Sequence, residues 1–142
     1  MKKIIIAVVV AISFASCQQN KNTSTVEDTT SAVVAAPDAA VLTFEKASYD
    51  FGQIKQGEKV RYDFKFKNTG KTPLIISNAT ATCGCTTPDI PKEPISPGKE
   101  AVIKVVFDST GKMGKQDKVV TVTSNGNPSV SQVHLIGSVN QS

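Results

Sequence analysis

The chain has 142 residues and a formal net charge of +4, with 16 basic and 12 acidic side chains and a single histidine. That length accommodates one ordinary domain and some flanking sequence. The charges are interspersed in sign, which excludes the clustered basic face that nucleic-acid binding calls for, and the absence of tryptophan excludes an antibody-type core.

Met1-Lys2-Lys3 is a short basic region, followed over residues 4–14 by an almost unbroken apolar run that ends at the small residues Ala15 and Ser16. This is the anatomy of a secretory signal peptide. The run is about half of the roughly 20 apolar residues a membrane-spanning helix needs, so residues 1–16 are expected to direct export and then be removed. Phe14-Ala15-Ser16-Cys17 resembles the lipobox of bacterial lipoproteins, in which the cysteine is acylated and becomes the first mature residue. It departs from that pattern at Phe14, where leucine is usual, and ordinary cleavage after Ala15 is the alternative, with Ser13 and Ala15 as the small residues. Cysteine bookkeeping favours lipidation, because acylating Cys17 leaves Cys83 and Cys85 as a pair and no odd thiol. Loss of Lys2 and Lys3 leaves 14 basic against 12 acidic side chains.

Residues 18–40 are rich in Thr, Ser, Asn, Ala and Gln, with no aromatic residue and no periodicity. Such a segment buries too little apolar surface to offset its ordering entropy and is expected to be a disordered tether, spanning roughly 25 Å. Gln18, in place of an aspartate after the acylated cysteine, resembles an outer-membrane sorting signal, and no acidic cluster of the surface-export kind follows, so the expected location is the periplasmic face of the outer membrane. Asp28-Thr29-Thr30 and Asp108-Ser109-Thr110 resemble short bacterial O-glycosylation acceptors, which makes Thr29 and Ser109 candidate modification sites.

Strand-like alternation starts near Val41, where the folded domain is expected to begin, and extends to residue 142. Leu42 and Phe44, then Tyr49 and Phe51, predict one strand interrupted near Ala47-Ser48. Val60, Tyr62, Phe64 and Phe66 alternate with Arg61, Asp63, Lys65 and Lys67, a period of two that only a half-buried strand explains. A turn at Asn68-Thr69-Gly70-Lys71 precedes a short apolar strand at Leu74-Ile75-Ile76. Ser96-Pro97-Gly98-Lys99 predicts a type II turn. Ala101, Ile103, Val105 and Phe107 form an inward set opposite Lys104 and Asp108. Residues 119–123 and 130–139 are the last strands, joined at Asn125-Gly126, a hairpin signal in which both residues tolerate positive φ. About seven short strands in roughly 100 residues, with no helical stretch, predict an all-β, immunoglobulin-like antiparallel sandwich.

Phe64-x-Phe66-x-Asn68-x-Gly70, Pro73-Leu74-x-Ile76, Cys83-Gly84-Cys85-Thr86, Pro94-Ile95-x-Pro97-Gly98 and Ser124-Asn125, in this order, resemble the bacterial domain-of-unknown-function family 1573. That is a group of immunoglobulin-like sandwich domains, often on Gram-negative lipoproteins and distantly similar to the major-sperm-protein-like domains. The resemblance covers about residues 42–139. It implies the fold and carries no activity with it.

Cys83 and Cys85, two apart on an extended strand, would have Cα atoms roughly 6.6 Å apart, at the edge of what a disulfide spans, and Gly84 can draw them closer. Three readings stand: a structural lock or a pair of small apolar residues, a redox element that exchanges with a partner's thiols, or a soft-metal site for Cu(I). Two thiolates make only half of a zinc site. His134 is expected to be a hydrogen-bonded or exposed strand residue, and no serine sits in a nucleophile-elbow sequence. Pro88, Pro91, Pro94 and Pro97 recur every third residue, the period of a polyproline II face, which predicts either a docking ridge or a stiff crossover between sheets. The sequence therefore predicts a non-enzymatic, lipid-anchored binding or structural module without a cofactor. Its expected contacts are the membrane, through the N-terminal lipid, and an envelope protein. The alternative is a thiol-redox or Cu(I)-handling protein using Cys83 and Cys85.

Overall fold

The computed structural model describes residues 38–141. The expected signal peptide, Cys17, Thr29 and all but the end of the expected tether lie outside the described residues. Eight strands follow in order: β1 (Leu42–Phe44), β2 (Ser48–Lys55), β3 (Lys59–Asn68), β4 (Ile76–Ala81), β5 (Thr86–Asp89), β6 (Glu100–Asp108), β7 (Gly114–Ser124) and β8 (Val130–Asn140). They form two four-stranded sheets, β1-β3-β6-β5 and β2-β8-β7-β4. This is the constant-type immunoglobulin arrangement with its first strand divided between the sheets.

That division corrects the single interrupted strand expected from Leu42 to Phe51. Phe44 pairs with Phe66 in an antiparallel ladder, whereas Ser48 pairs with His134 in a parallel one. The break at Ala47-Ser48 is where the chain changes sheets, which adds a strand to the about seven expected and makes one pairing parallel.

The alternation in β3 places its residues as expected. Val60, Phe64 and Phe66 are buried, Ile103, Val105 and Phe107 join them from β6, and Val120, Val122, Val133 and Leu135 face them from the second sheet. Burying one such side chain is worth about 1.5–3 kcal/mol. Tyr49 stacks on Tyr62 with centroids 3.8 Å apart, and Tyr62 meets Phe64 edge-on at 4.8 Å. With Phe44 against Phe64 and Phe66, these rings close the side of the sandwich formed by β1 and β2. Gly137 has an inward-facing position in β8, and a Cβ there would overlap the ring of Phe51.

The end of the sandwich near the β3–β4 connection is organised by Asn68, which is fully buried. Its Nδ2 donates to the carbonyls of Thr72 (2.8 Å) and Ile95 (2.9 Å), and its Oδ1 accepts from the amides of Gly70 (3.0 Å) and Val41 (3.3 Å). Gly70 is needed because a Cβ would collide with the backbone of residues 39–41. Packing therefore starts slightly before Val41, since Ala40 is buried.

Several local expectations shift. The strand placed at Leu74-Ile75-Ile76 begins only at Ile76, while Leu74 forms an isolated bridge with Ile95. The β7–β8 hairpin exists, but its connection is residues 125–129 with a cis Asn127-Pro128 bond, not a two-residue turn. Gly126 has no positive φ and packs tightly against Ala40 and Leu74. The type II turn is as expected, with Gly98 at φ 76° and the amide of Lys99 bonded to the carbonyl of Ser96 at 3.1 Å. The proline run forms neither a common ridge nor a crossover between sheets. Pro88 lies in β5, Pro91 is half-buried, Pro94 and Pro97 are exposed, and the run joins β5 to β6 within one sheet.

Candidate functional site

The Cys-Gly-Cys stretch is one of the connections between the sheets. Residues 82–85 leave β4 at the edge of one sheet and start β5 at the edge of the other. A short turn makes the passage, with the amide of Thr86 donating to the carbonyl of Cys83 at 3.1 Å. The amide of Thr82 donates to Val119 at one end and the carbonyl of Cys85 accepts from Asp108 at the other. The turn brings the Cα atoms of Cys83 and Cys85 to 5.2 Å, within disulfide range, and the two are joined by a disulfide. This is shorter than the extended-strand spacing because the backbone is turned here. The hydroxyl of Thr86, buried beside the bond, lies 3.8 Å and 3.9 Å from the two sulfurs; nothing in the sequence marked it beyond its place in the motif. As a disulfide the pair offers no thiolate, so any Cu(I) chemistry requires its reduced form. Among the described residues no group of three or more His, Cys, Asp or Glu side chains converges as a metal-ligand set.

His134 lies on the outward face of β8, its Nδ1 2.9 Å from Asp117 Oδ1. Nearby is a shallow depression of about 640 Å³ lined by Asp50, Gln53, Lys115, Asp117, Ile136 and Ser138. It includes the irregularity in β2 between Asp50 and Gln53, where Gly52 has φ 70° and donates its amide to Asp50 Oδ1 at 2.7 Å. A second hollow of about 550 Å³ on the other sheet is lined by Glu45, Lys46, Arg61, Tyr62, Asp63 and Lys65. Both are open and carry charges of both signs, the character of a solvated sheet face. Lys118 points inward, with Nζ 5.4 Å from the Phe107 ring. Its pKa is lowered chiefly by burial and further by Lys112, while Asp117 opposes the shift.

Ser109, the candidate acceptor, is buried in the folded domain. Its hydroxyl lies 2.7 Å from the carbonyl of Glu58 and 3.1 Å from that of Lys55, and its single proton is shared between them. Asp108 and Thr110 serve the same turn. Asp108 Oδ1 accepts from the Thr110 amide at 2.9 Å, and its Oδ2 sits 3.2 Å from the Lys59 ammonium. The bonds from Thr110, with that of Lys59 next, hold the Asp108 carboxyl at a pKa of about 2. The residue types that looked like an acceptor motif are those an Asx turn uses.

The family model DUF1573, described as "Protein of unknown function", matches residues 42–139. The chain belongs to the DUF1573 family. No curated protein matches it. The DUF1573 domain is similar in fold to several solved structures. One is a protein of unknown function from Porphyromonas gingivalis W83, at TM-score 0.63 and 16% identity over 76% of this chain and 51% of that one. Another is PapD-like domain 7 of human CEP192, at TM-score 0.61 and 10% identity, covering 95% of this chain and 99% of that one. A third is the secreted serine protease VesC from Vibrio cholerae, at TM-score 0.54 and 12% identity over 70% of this chain and 23% of that one. The chain thus spans about half of the P. gingivalis protein and a smaller part of VesC. At these identities the likeness is one of fold.

Proposed function

We propose that this DUF1573 chain is a non-catalytic lipoprotein of the cell envelope, anchored through an acylated Cys17 at the outer membrane, with its sandwich facing the periplasm and holding a protein partner of the envelope. The observation that carries the reading is the disulfide between Cys83 and Cys85, because such bonds persist in oxidising compartments outside the cytoplasm. It agrees with the basic and apolar N-terminus that reads as an export signal. The similar fold makes up only part of the P. gingivalis and VesC chains, the behaviour of a portable accessory module. Buried polar side chains such as Asn68 and Ser109 are committed to backbone bonds, which leaves recognition to the exposed faces, edges and loops.

Mass spectrometry of the native protein from the periplasm, with and without thiol alkylation, tests the disulfide. The expected species is two hydrogens lighter than the free-thiol form and resists alkylation. A free-thiol form carrying copper would favour the second reading, in which the reduced pair handles Cu(I) or exchanges thiols beside the Thr86 hydroxyl. A Cys83→Ser, Cys85→Ser double variant separates the two further. It keeps partner capture by in-cell cross-linking if the domain is a binding module, and loses all function if the sulfurs act.

A further inference from the structure

The disulfide between Cys83 and Cys85 does little to hold the crossover on which it lies. It closes a loop too short to restrict the unfolded chain much, and backbone bonds fix the turn on both sides, Thr82 to Val119 and Asp108 to Cys85. The two sulfurs are also unlike. Cys85 packs against the hydrophobic core, in a cluster that does not include Cys83. Between them Gly84 is exposed, and a Cβ on it would meet nothing within 4 Å, so the outer side of the turn is open to another molecule. Thr86 gives the site its chemistry. The residue is buried, and among the described residues the partners of its hydroxyl are the sulfurs of Cys83 at 3.8 Å and Cys85 at 3.9 Å. Disulfide sulfurs carry no proton, so the hydroxyl is the donor. Neutral sulfur is a weak acceptor, and a buried donor without a good acceptor is costly. A thiolate is a charged acceptor and takes the same proton far more strongly. Opening the bond therefore satisfies the Thr86 hydroxyl, and Thr86 in turn favours the open form.

We propose that Cys83 and Cys85 are a reversible dithiol couple that exchanges with a protein dithiol, and that the Thr86 hydroxyl holds the thiolate formed when the bond opens. The proposal rests on the thiol-exchange reading above and supplies its hydrogen-bond donor and its class of partner. A thiolate of the partner attacks Cys83 Sγ from the open side of the turn. A mixed disulfide forms as the bond between Cys83 and Cys85 breaks, and the electron pair of that bond goes to Cys85 Sγ. This sulfur lies against the core, where apolar surroundings disfavour a bare thiolate. The Thr86 hydroxyl, 3.9 Å away, donates to it, and a leaving thiol stabilised in this way leaves faster. The partner's second thiol then attacks the partner sulfur of the mixed disulfide and releases Cys83. Two electrons have passed to the pair, the partner's two thiol protons end on Cys83 and Cys85, and the partner departs as a disulfide.

Reduction of the full chain in detergent micelles by dithiothreitol tests this, with the peptide that carries Cys83 and Cys85 alkylated and weighed by mass spectrometry. The parent is expected to be reduced while its circular dichroism spectrum stays unchanged. Thr86→Val removes the donor and keeps the shape. It should be reduced about ten times more slowly and shift the equilibrium about tenfold toward the disulfide, a potential about 30 mV more negative. The alkylation rate of its reduced pair should rise at a higher pH than in the parent, and Thr86→Ser should restore all three properties. A parent that stays oxidised in excess dithiothreitol, or is reduced only on unfolding, overturns the thiol-exchange reading and the proposal together. Reduction of the folded parent, with the same rate, potential and pH profile in Thr86→Val, overturns the proposal and leaves that reading standing. So does a serine variant that behaves like the valine one.

Discussion

Asn68 uses both ends of its amide on four backbone groups from three segments, so removing it strands buried donors and acceptors at once. Asn68→Ala is expected to lower unfolding stability by about 3 kcal/mol, read from urea denaturation midpoints. Phe64 is the apolar counterpart. Phe64→Asp puts an unpaired carboxylate at a fully buried position, and the variant should show no cooperative melt by circular dichroism. At the surface, Asp108 gives the domain a defined acid response. Its carboxyl ionises at about 2 instead of 3.8, so the folded state binds that proton less tightly than the unfolded chain does. The stabilisation is complete above the ordinary value and disappears as pH falls through about 2. Urea midpoints measured from pH 5 to pH 2 should fall less steeply in Asp108→Asn than in the parent.

At the scale of elements, β3 was legible because its period of two states which face is buried, and its partner β6 repeats the signal. The Ser96–Lys99 turn was legible for a similar reason, since proline and glycine act through their own backbone limits. The division of the first strand was not legible. Leu42, Phe44, Tyr49 and Phe51 all face the same core, and alternation records the face without recording the sheet. Asn125-Gly126 misled in a different way. Asn125 is there to bond the Ile75 amide and the Pro73 carbonyl, and Gly126 to let Ala40 and Leu74 approach, neither of which is turn chemistry. The disulfide encloses so short a loop that it restricts the unfolded chain little. The Cys83→Ser, Cys85→Ser double variant should lose only about 1–2 kcal/mol in chemical denaturation and keep the same circular dichroism spectrum.

For the whole molecule, the proposed anchor makes location depend on one side chain. A Cys17→Ala variant should pass from the membrane fraction to the soluble periplasmic fraction and lose incorporation of labelled palmitate; retention in the membrane fraction would remove the lipid anchor from the account. The fold class, the buried faces of β3 and β6 and the family were already determined by the sequence. Each of these depends on short-range periodicity or on motifs a few residues long. Tertiary structure decided which sheet each strand joins, that Ser109 is sealed inside a turn, that the proline run stays within one sheet, and that Cys83 and Cys85 sit on a crossover between sheets. Those outcomes depend on contacts between residues tens of positions apart, such as Lys55 with Ser109 or Val41 with Asn68, and local patterning carries no record of them.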